Sequence, residues 1–496
     1  MVGVDATTIS VRGPWAELSG PQTALEAARG ALTAERQGAR YTAAYERGHW
    51  DGTVCLLRRR TFPAGLTERV AEAVRAAGLD VEVSDDAKVA EGESLSGRLR
   101  GVALRPYQLE AAAVVLGRRR VALECPTGSG KTEIGAEVIR RVGRRTLWLT
   151  HRADLAKQTR ERLRERLGVD VGLVGAGADD AAPLVVVGMV PTLARRLKVD
   201  TSVAAALREY RVLVLDEAHH GGAETWLAVA AACVNADLRV GLSGTVRTGD
   251  PLRDLQLEGA TGPRVVVASS GELSTAGFIA TPTVRLLEPP TASYPSYEEV
   301  REVVLPTWRC DARPLRRMGT KLYEEAYRRG VVANAARSRA IVAAAGRHYQ
   351  AGEKVLVLAD LVAHARSLDR LAGEVGLARR WCLTGEDRDR EAALARFRAF
   401  DPPCLLVATP WFREGMDVPE IDVGLLAGAS MSEVALMQAC GRMLRVRPDK
   451  RTVLIYDVLD GRDPLATKDY LADHTRARLA AYRERGWAVE RPGPVR

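Results

Sequence analysis

Short apolar runs alternate with Ala- and Arg-rich stretches along most of the chain. One series of runs comprises residues 120–123, 146–149, 184–187, 212–215 and 239–242, and a second comprises 354–358, 404–407, 423–426 and 453–456. Runs that are apolar throughout, instead of alternating with polar residues, are typical of parallel strands buried on both faces by helices. The pattern therefore predicts two α/β lobes in tandem, each built around a parallel sheet.

The chain before residue 96 has a different pattern. Residue character alternates from about 41 to 60 around a turn at Trp50-Asp51-Gly52, and an amphipathic helix is predicted from about 66 to 77, which together indicate a small α+β unit. Several prolines predict a connection without regular structure between the lobes, from about 281 to 297: Pro282, Pro289, Pro290 and Pro295. The predicted organisation is an N-terminal domain (1–95), a first lobe (96–280), a second lobe (281–472) and a C-terminal tail (473–496). The tail is predicted to be a helix with a Pro-containing end, either packed on the second lobe or exposed.

Composition indicates a folded globular protein with a polyanionic partner. Hydrophobic residues make up 46% of the chain and charged residues 27%, which excludes wholesale disorder. The formal net charge of +9 suits phosphate-rich ligands, because Lys and Arg release condensed counterions when they neutralise phosphates. The sequence has no secretory signal pattern and no membrane-length apolar run, so we expect no membrane partner and a location in the cytoplasm of a bacterium or a phage-infected host. Its 7 cysteines lack metal-ligand spacing, and we expect neither disulfides nor a structural metal.

A glycine-rich segment, here called the phosphate loop, follows the first apolar run and reads Glu124-Cys125-Pro126-Thr127-Gly128-Ser129-Gly130-Lys131-Thr132. Glycines allow a backbone to wrap a triphosphate, so that successive N–H groups and the following helix N-terminus point at it. We expect Lys131 to pair with the β- and γ-phosphates of ATP and the Thr132 hydroxyl to complete a Mg²⁺ shell. The strict motif has Gly where this chain has Cys125. The predicted nucleotide-binding residues of the loop are Thr127, Gly128, Ser129, Gly130, Lys131 and Thr132.

Two acids, here called the acidic pair, follow another apolar run. The segment Val212–Leu215 leads directly into Asp216-Glu217-Ala218-His219. A buried strand that ends in two carboxylates delivers both to the sheet edge where a phosphate loop lies. We expect Asp216 to hold Mg²⁺ and Glu217 to polarise the attacking water. The alternative, a solvated acidic turn, is disfavoured by the phosphate loop upstream.

With these two segments the sequence resembles the superfamily 2 helicases over about residues 100–460. The resemblance implies an ATP-hydrolysing helicase with two tandem RecA-like parallel-sheet lobes, preceded here by the small α+β N-terminal domain. The resemblance also covers the segment Leu104-Arg105-Pro106-Tyr107-Gln108. It implies that Arg105 and Gln108 bind the nucleotide, with Gln108 at the edge of the adenine base. Thr150–Leu155 and Val190–Leu193 resemble segments that carry the strand's phosphates, which implies nucleic-acid contacts by Arg152 and Thr192. Ser243-Gly244-Thr245, here called the coupling segment, resembles the element in which Ser243 and Thr245 couple hydrolysis to lobe movement.

The same family likeness continues in the second lobe. Thr409 and the segment Gly415–Pro419 resemble a region that touches both nucleotide and strand, which implies nucleotide contacts by Gly415 and Asp417 and a strand contact by Thr409. On a helix, three residues of the last motif fall on one face: Gln438, Arg442 and Arg445. We expect Gln438 to contact the nucleotide and both arginines to reach its γ-phosphate as arginine fingers. The alternative is that these arginines are solvated helix residues.

A subgroup is suggested by several segments. Tyr107, His219 and Gln438 are not the residues typical of classical DEAD-box RNA helicases at these motif positions. The N-terminal segment around Trp50-Asp51-Gly52 resembles that of UvsW-type phage recombination helicases. Asn334–Arg339 is similar to the entry of the second lobe in the same subgroup. The resemblance implies 3′-to-5′ remodelling of branched DNA (forks, D-loops, R-loops and Holliday junctions) in recombination, replication or repair, with single-stranded DNA, branched duplex and RNA:DNA hybrid as partners. The alternatives are an RNA-directed helicase, the motor subunit of a restriction or defence nuclease complex, and a nucleic-acid sensor that barely turns over.

Overall fold

The computed structural model describes residues 6–39, 42–85, 94–95, 97–126, 128–307, 315–387, 390–409, 421–429, 436, 439–440, 452–462 and 469–491. The chain forms two compact units, one of residues 1–126 and 130–268 and the other of 127–129 and 269–496. The predicted fold class is confirmed, because each unit contains a mostly or wholly parallel sheet and the first also contains a small mixed sheet. Within this described part of the chain, none of the helices is long and apolar enough to cross a bilayer.

The N-terminal part of the first unit is an α+β layer. Its elements are β1 (Thr7–Arg12), β2 (Trp15–Ser19), α1 (Gln22–Ala31), β3 (Thr33–Glu35), α2 (Ala43–Glu46), β4 (Thr53–Cys55), β5 (Thr61–Pro63), α3 (Thr67–Ala76) and β6 (Val81–Asp85). The sheet order is β5-β2-β1-β6, and β3 pairs separately with β4. Burial alternates along β1 and β2, so one face of the sheet packs against α1 and α3. The predicted turn is present: the Trp50 indole N–H donates to the Thr53 carbonyl at 2.6 Å, and Asp51 Oδ1 accepts from the Thr53 N–H at 2.9 Å.

The rest of the first unit surrounds a large sheet. Its strands are β7 (Arg120–Glu124), β8 (Thr146–Thr150), β9 (Val171–Gly175), β10 (Ala178–Asp180), β11 (Val185–Met189), β12 (Val212–Asp216), β13 (Leu238–Ser243) and β14 (Arg264–Val266). Its helices are α4 (Pro106–Arg118), α5 (Lys131–Val142), α6 (Ala153–Leu167), α7 (Val190–Leu197), α8 (Thr201–Leu207), α9 (Glu224–Ala232) and α10 (Pro251–Thr261). The strand order is β10-β9-β11-β8-β12-β13-β7-β14, and every pair except β9–β10 is parallel. Side chains alternate between two apolar layers, with Val214 in one layer and its neighbours Leu213 and Leu215 in the other.

The N-terminal layer packs on α10. Leu255 of that helix is buried in the N-terminal core. A side chain at Gly65 would place its Cβ 2.0 Å from the Glu258 carbonyl oxygen, so the two backbones approach too closely for any residue but glycine. Arg69 Nη2 lies 2.6 Å from Glu258 Oε2 at the rim of this contact. The N-terminal layer and the first lobe therefore form one packed unit.

The second unit is built on an all-parallel sheet. Its strands are β15 (Thr281–Leu287), β16 (Lys354–Leu358), β17 (Arg380–Leu383), β18 (Cys404–Ala408), β19 (Val423–Leu426), β20 (Thr452–Val458) and β21 (Ala488–Glu490), in the order β17-β18-β16-β19-β20-β15-β21. Its helices are α11 (Ser270–Thr275), α12 (Tyr297–Thr307), α13 (Leu315–Tyr327), α14 (Ala335–Gln350), α15 (Val362–Glu374), α16 (Arg390–Ala399) and α17 (Tyr470–Glu484). The segment predicted as a tail is part of this unit, because Tyr482 is buried in its core and β21 pairs with β15.

One expectation for the connection is wrong, because residues 281–287 form β15 and not an irregular linker. Pro282 pairs only with Val453 of β20, since β21 begins to pair with β15 one residue later, at Thr283. A proline near the first residue of a strand, with one side unpaired, removes no sheet hydrogen bond that the strand needs. Pro282 therefore lies near the start of a strand and not in an irregular connection.

A buried ion network ties the segment predicted to open the second lobe to the end of the sheet. Asn334 caps α14 by accepting the Arg337 N–H at 3.0 Å. Arg337 is fully buried, and its guanidinium donates to Asp460 Oδ1 at 2.6 Å and to the Ala427 carbonyl at 2.7 Å. Arg478 of α17 also donates to Asp460, at 3.2 Å. These buried charges are paired and hydrogen-bonded, as buried charges must be to be tolerated.

We expect Gly65→Ala to destabilise the first unit by about 1–3 kcal/mol, because the added methyl would overlap the backbone of α10. Hydrogen–deuterium exchange of α10 and a shift of the urea unfolding midpoint would measure the effect. Gly30→Ala is the matched control, since that glycine lies in α1 with nothing within 4 Å of the added Cβ, and we expect it to be neutral or stabilising. Equal unfolding midpoints for the two variants would contradict the close packing.

Candidate functional site

Three strand ends bring the predicted chemistry together. The parallel strands β12, β13 and β7 are neighbours in that order, so their carboxyl ends lie at one edge of the sheet. The acidic pair ends β12, the coupling segment ends β13, and the phosphate loop follows β7. Ligands of parallel α/β sheets bind at this edge. The edge is therefore the candidate functional site.

Asp216 is held at this edge by two hydrogen bonds. Its Oδ1 accepts the Glu217 N–H at 3.0 Å, and its Oδ2 accepts the indole N–H of Trp148 at 3.2 Å. The pKa of Asp216 is raised to about 6, first by burial and then by the charge of Glu217, against the opposing effects of Lys131 and the Trp148 hydrogen bond. Lys131 is thus close enough to stabilise the Asp216 carboxylate. The phosphate-loop lysine and the acidic pair share one electrostatic environment.

Backbone geometry at the acidic pair is unusual. Glu217 has φ +51°, the left-handed conformation that residues other than glycine rarely adopt. This conformation follows directly after β12, and Glu217 Oε2 lies 3.4 Å from His219 Nδ1. Strained backbone of this kind is concentrated at functional sites.

The phosphate loop approaches the segment predicted to read adenine. Gly128 and Gly130 have φ of +86° and +80°, as a loop that wraps a phosphate requires. A Cβ on Gly130 would lie 2.3 Å from Gln108 Nε2. Gln108 is itself buried, and its Oε1 accepts the Arg105 N–H at 2.9 Å at the start of α4. The structure thus brings Gln108 to the loop from which α5 begins.

The residues present fit a magnesium nucleotide. Lys131 and Thr132 open α5, a helix of 12 residues whose N-terminus carries the positive end of its dipole. The Thr132 hydroxyl and the Asp216 carboxylate are hard oxygen ligands of the kind that Mg²⁺ prefers. The absence of a side chain at Gly130 also allows Gln108 to approach the loop. The donor set therefore suits the predicted ligand.

The coupling segment is bonded to the acidic segment. Ser243 Oγ lies 3.1 Å from His219 Nδ1, donates to the Thr245 carbonyl at 2.8 Å and accepts the Thr245 N–H at 3.2 Å. All three residues are buried. Beside them, Glu124 Oε2 accepts the Val246 N–H at 2.9 Å, which links the end of β7 to the residue after the coupling segment. The three strand ends are therefore hydrogen-bonded to one another.

Comparison with known proteins assigns the family. The model of the type III restriction enzyme res subunit matches residues 101–248, and the helicase conserved C-terminal domain matches residues 338–447. The chain is 26% identical over 404 residues to the DNA 3′-5′ translocase XPB2 of Sulfurisphaera tokodaii, an alignment that covers 76% of this chain and 84% of that protein. The chain belongs to helicase superfamily 2. Superfamily 2 helicases are ATP hydrolases, so the protein is an enzyme that hydrolyses ATP.

One solved structure agrees at the level of the fold. The type ISP restriction-modification enzyme LlaBIII, solved bound to DNA, aligns with a TM-score of 0.55 and 14% identity over 80% of this chain and 32% of that one. The crystal structure of T4 UvsW covers 98% of this chain and 99% of that one at a TM-score of 0.46 and 19% identity.

The predicted nucleic-acid residues have distinct surroundings. Arg152 lies directly before α6, and its guanidinium donates to Asp154 at 3.2 and 3.0 Å. Thr192 is half-buried in the first turn of α7, at the same sheet edge as the acidic pair. Thr409 is buried in the second unit, where its N–H donates to the Leu383 carbonyl at 3.2 Å. Six predicted site residues lie outside the described residues: Thr127, Gly415, Asp417, Gln438, Arg442 and Arg445.

Several residues at this edge were not predicted from the sequence. The rings of His151 and His220 have centroids 4.4 Å apart, and those of His219 and His220 are 4.1 Å apart, so three imidazoles meet beside the acidic pair. Trp148 donates to Asp216 from the neighbouring strand β8. A tryptophan within a wholly apolar run was the available signal, since a buried indole N–H usually has a partner.

Ser243→Ala should destabilise the first unit by roughly 1–3 kcal/mol, because it removes a buried hydroxyl that bonds both His219 and Thr245. Hydrogen–deuterium exchange of β12 and β13, together with the urea unfolding midpoint, would report it. Ser19→Ala, at the exposed end of β2, serves as the control and should change stability by less than about 0.5 kcal/mol. Unchanged exchange in β13 of the Ser243 variant would show that these bonds contribute nothing.

Proposed function

We propose that this superfamily 2 helicase uses ATP and Mg²⁺ to translocate on DNA and remodel branched DNA. The observation that carries the proposal is the convergence of Lys131, Thr132, Asp216 and Glu217 at one edge of the first-unit sheet. This is the set that phosphoryl transfer to water needs: a lysine for the β- and γ-phosphates, oxygen ligands for magnesium, and a base for the water.

Each residue has a defined role in the proposed reaction. Lys131 and the N–H groups of the phosphate loop bind the phosphates, while Thr132 and Asp216 hold the metal. Bound magnesium neutralises charge that develops on the phosphates. Glu217 orients the attacking water and accepts its proton. The contact between His219 and Ser243 then transmits the change at the acidic pair to the coupling segment, to which Ser243 belongs.

DNA is the proposed track. The relative from Sulfurisphaera tokodaii is named a DNA 3′-5′ translocase, which supports both the choice of DNA and the 3′-to-5′ direction. In the proposal Arg152, Thr192 and Thr409 contact the phosphate backbone, and binding is therefore weakened by salt and nearly independent of sequence. Branched DNA (forks, D-loops, R-loops and Holliday junctions) and RNA:DNA hybrid are proposed as substrates from the resemblance of the N-terminal domain to UvsW-type helicases.

A second candidate is the motor of a restriction or defence nuclease complex. The match of residues 101–248 to the type III restriction enzyme res subunit favours it. Such a motor would translocate on continuous duplex and show no preference for branches. Stimulation of ATP hydrolysis by linear duplex as strongly as by a four-way junction would therefore favour this candidate over the first.

ATPase assays of wild type and Lys131→Ala test the proposal. We expect branched DNA to stimulate ATP hydrolysis by the wild type more than single strands, linear duplex or matched RNA do. Lys131→Ala should lose roughly 10²–10³-fold in turnover. Lys157→Ala, on the exposed side of α6, is the matched control and should retain full turnover. If no nucleic acid stimulates the wild type, the translocase proposal fails; stimulation by RNA above DNA would favour an RNA-directed helicase.

Glu217→Gln separates binding from hydrolysis. The amide keeps the size of the side chain but cannot accept a proton, so we expect nucleotide affinity to persist while turnover falls by about 10²–10⁴-fold. Equilibrium binding of a fluorescent ATP analogue and single-turnover hydrolysis would measure the two effects. A variant that hydrolyses ATP at the wild-type rate would remove Glu217 from its proposed role.

A further inference from the structure

Trp148 occupies a position between the two halves of the nucleotide site. It lies in the centre of β8 with its side chain fully buried, and its indole N–H donates to Asp216 Oδ2 at 3.2 Å. The other carboxylate oxygen accepts the Glu217 N–H at 3.0 Å. One donor on each oxygen fixes the plane of the carboxylate while lone pairs remain for a further ligand.

On its other side the same indole packs against α5. A Cβ at Gly135 would lie 2.4 Å from Cζ3 and 2.6 Å from Cη2 of Trp148. Gly135 therefore provides the space that the ring fills. Since α5 begins with Lys131 and Thr132, Trp148 touches the helix that carries those residues and the carboxylate that faces them.

Packing alone does not account for a tryptophan here. Apart from Cys125, the other buried hydrophobic residues of this core layer are aliphatic, for example Val187 on β11 and Val214 on β12, which flank β8 on either side. An indole in this layer adds a hydrogen-bond donor, and its N–H is directed at the buried carboxylate of Asp216. Hydrogen bonds to a charged acceptor are stronger than those between neutral groups.

We propose that Trp148 is a positioning residue that orients the Asp216 carboxylate for magnesium–nucleotide binding and sets its distance from α5. The inference rests on the proposed function of Asp216. In this proposal the affinity for metal depends on Trp148, which lies outside both the phosphate loop and the acidic pair. Replacing a residue that orients a metal ligand typically lowers metal affinity by about 10–100-fold.

The test is equilibrium binding of a fluorescent ADP analogue to the full chain, titrated with Mg²⁺ and without turnover. We expect Trp148→Phe to raise the Mg²⁺ concentration for half-maximal binding by about 10–100-fold. Nucleotide binding in the absence of Mg²⁺ should stay close to that of the wild type, because Lys131 and the phosphate loop are unchanged.

Two further variants separate the hydrogen bond from packing. Benzothienylalanine at position 148 keeps the bicyclic ring but replaces the N–H by sulfur, and it should raise the Mg²⁺ requirement as Trp148→Phe does. Trp148→Phe combined with Gly135→Ala refills space beside α5 and should leave the Mg²⁺ requirement raised. Recovery of the wild-type requirement in the double variant, or in the benzothienyl variant, would overturn the proposal in favour of packing.

Trp487→Phe is the matched control. Trp487 is also buried, stacked on Tyr482 at 5.6 Å between ring centroids, but its indole N–H has no hydrogen-bond partner among the residues that the structure describes. The Mg²⁺ concentration for half-maximal nucleotide binding by Trp487→Phe should equal that of the wild type. If the wild type itself shows no Mg²⁺-dependent nucleotide binding, the proposed function fails; if the wild type and Trp148→Phe bind alike, only the role of Trp148 fails.

Discussion

The parallel alignment of β12, β13 and β7 is the constraint on which the rest of the site depends. Parallel strands end at the same edge, so the acidic pair, the coupling segment and the phosphate loop meet although Lys131 and Asp216 are 85 positions apart along the chain. The two apolar layers of the first unit hold these strands in register from both faces. A shift of one strand would move its carboxylate or hydroxyl away from the others, and the hydrogen bonds between strand ends would break.

Buried carboxylates serve two different purposes in this protein. Asp460 in the second unit accepts hydrogen bonds from Arg337, Arg478 and Tyr294, so it forms a neutralised cluster that joins α14, α17 and the sheet. Within the part of the chain that the structure describes, Asp216 in the first unit accepts one N–H on each oxygen, and burial raises its pKa. A saturated carboxylate stabilises packing, whereas one held in place with remaining lone pairs suits a ligand.

The N-terminal layer is joined to the part of the first unit that follows the coupling segment. Its core includes Leu255 of α10, and α10 begins shortly after Thr245. Asp254 of the same helix accepts hydrogen bonds from the N–H and the hydroxyl of Thr248, at 2.7 Å each. The small sheet thus packs on a helix whose start is anchored to the residues beside the candidate functional site. This gives the N-terminal layer a structural connection to the candidate functional site.

The sequence by itself determined the α/β class, the strand runs, the phosphate loop and the acidic pair, because these depend on residue types at short spacing. By family likeness it also predicted that Gln108 binds the nucleotide, and the structure brings Gln108 to the phosphate loop. Only the tertiary structure decided that Trp148 bonds Asp216, that His151 meets His220, and that Pro282 is the second residue of a strand. Those facts depend on which strands become neighbours and on the side from which each is paired. Local patterns do not encode strand order, since it follows from packing the whole sheet between its two layers of helices.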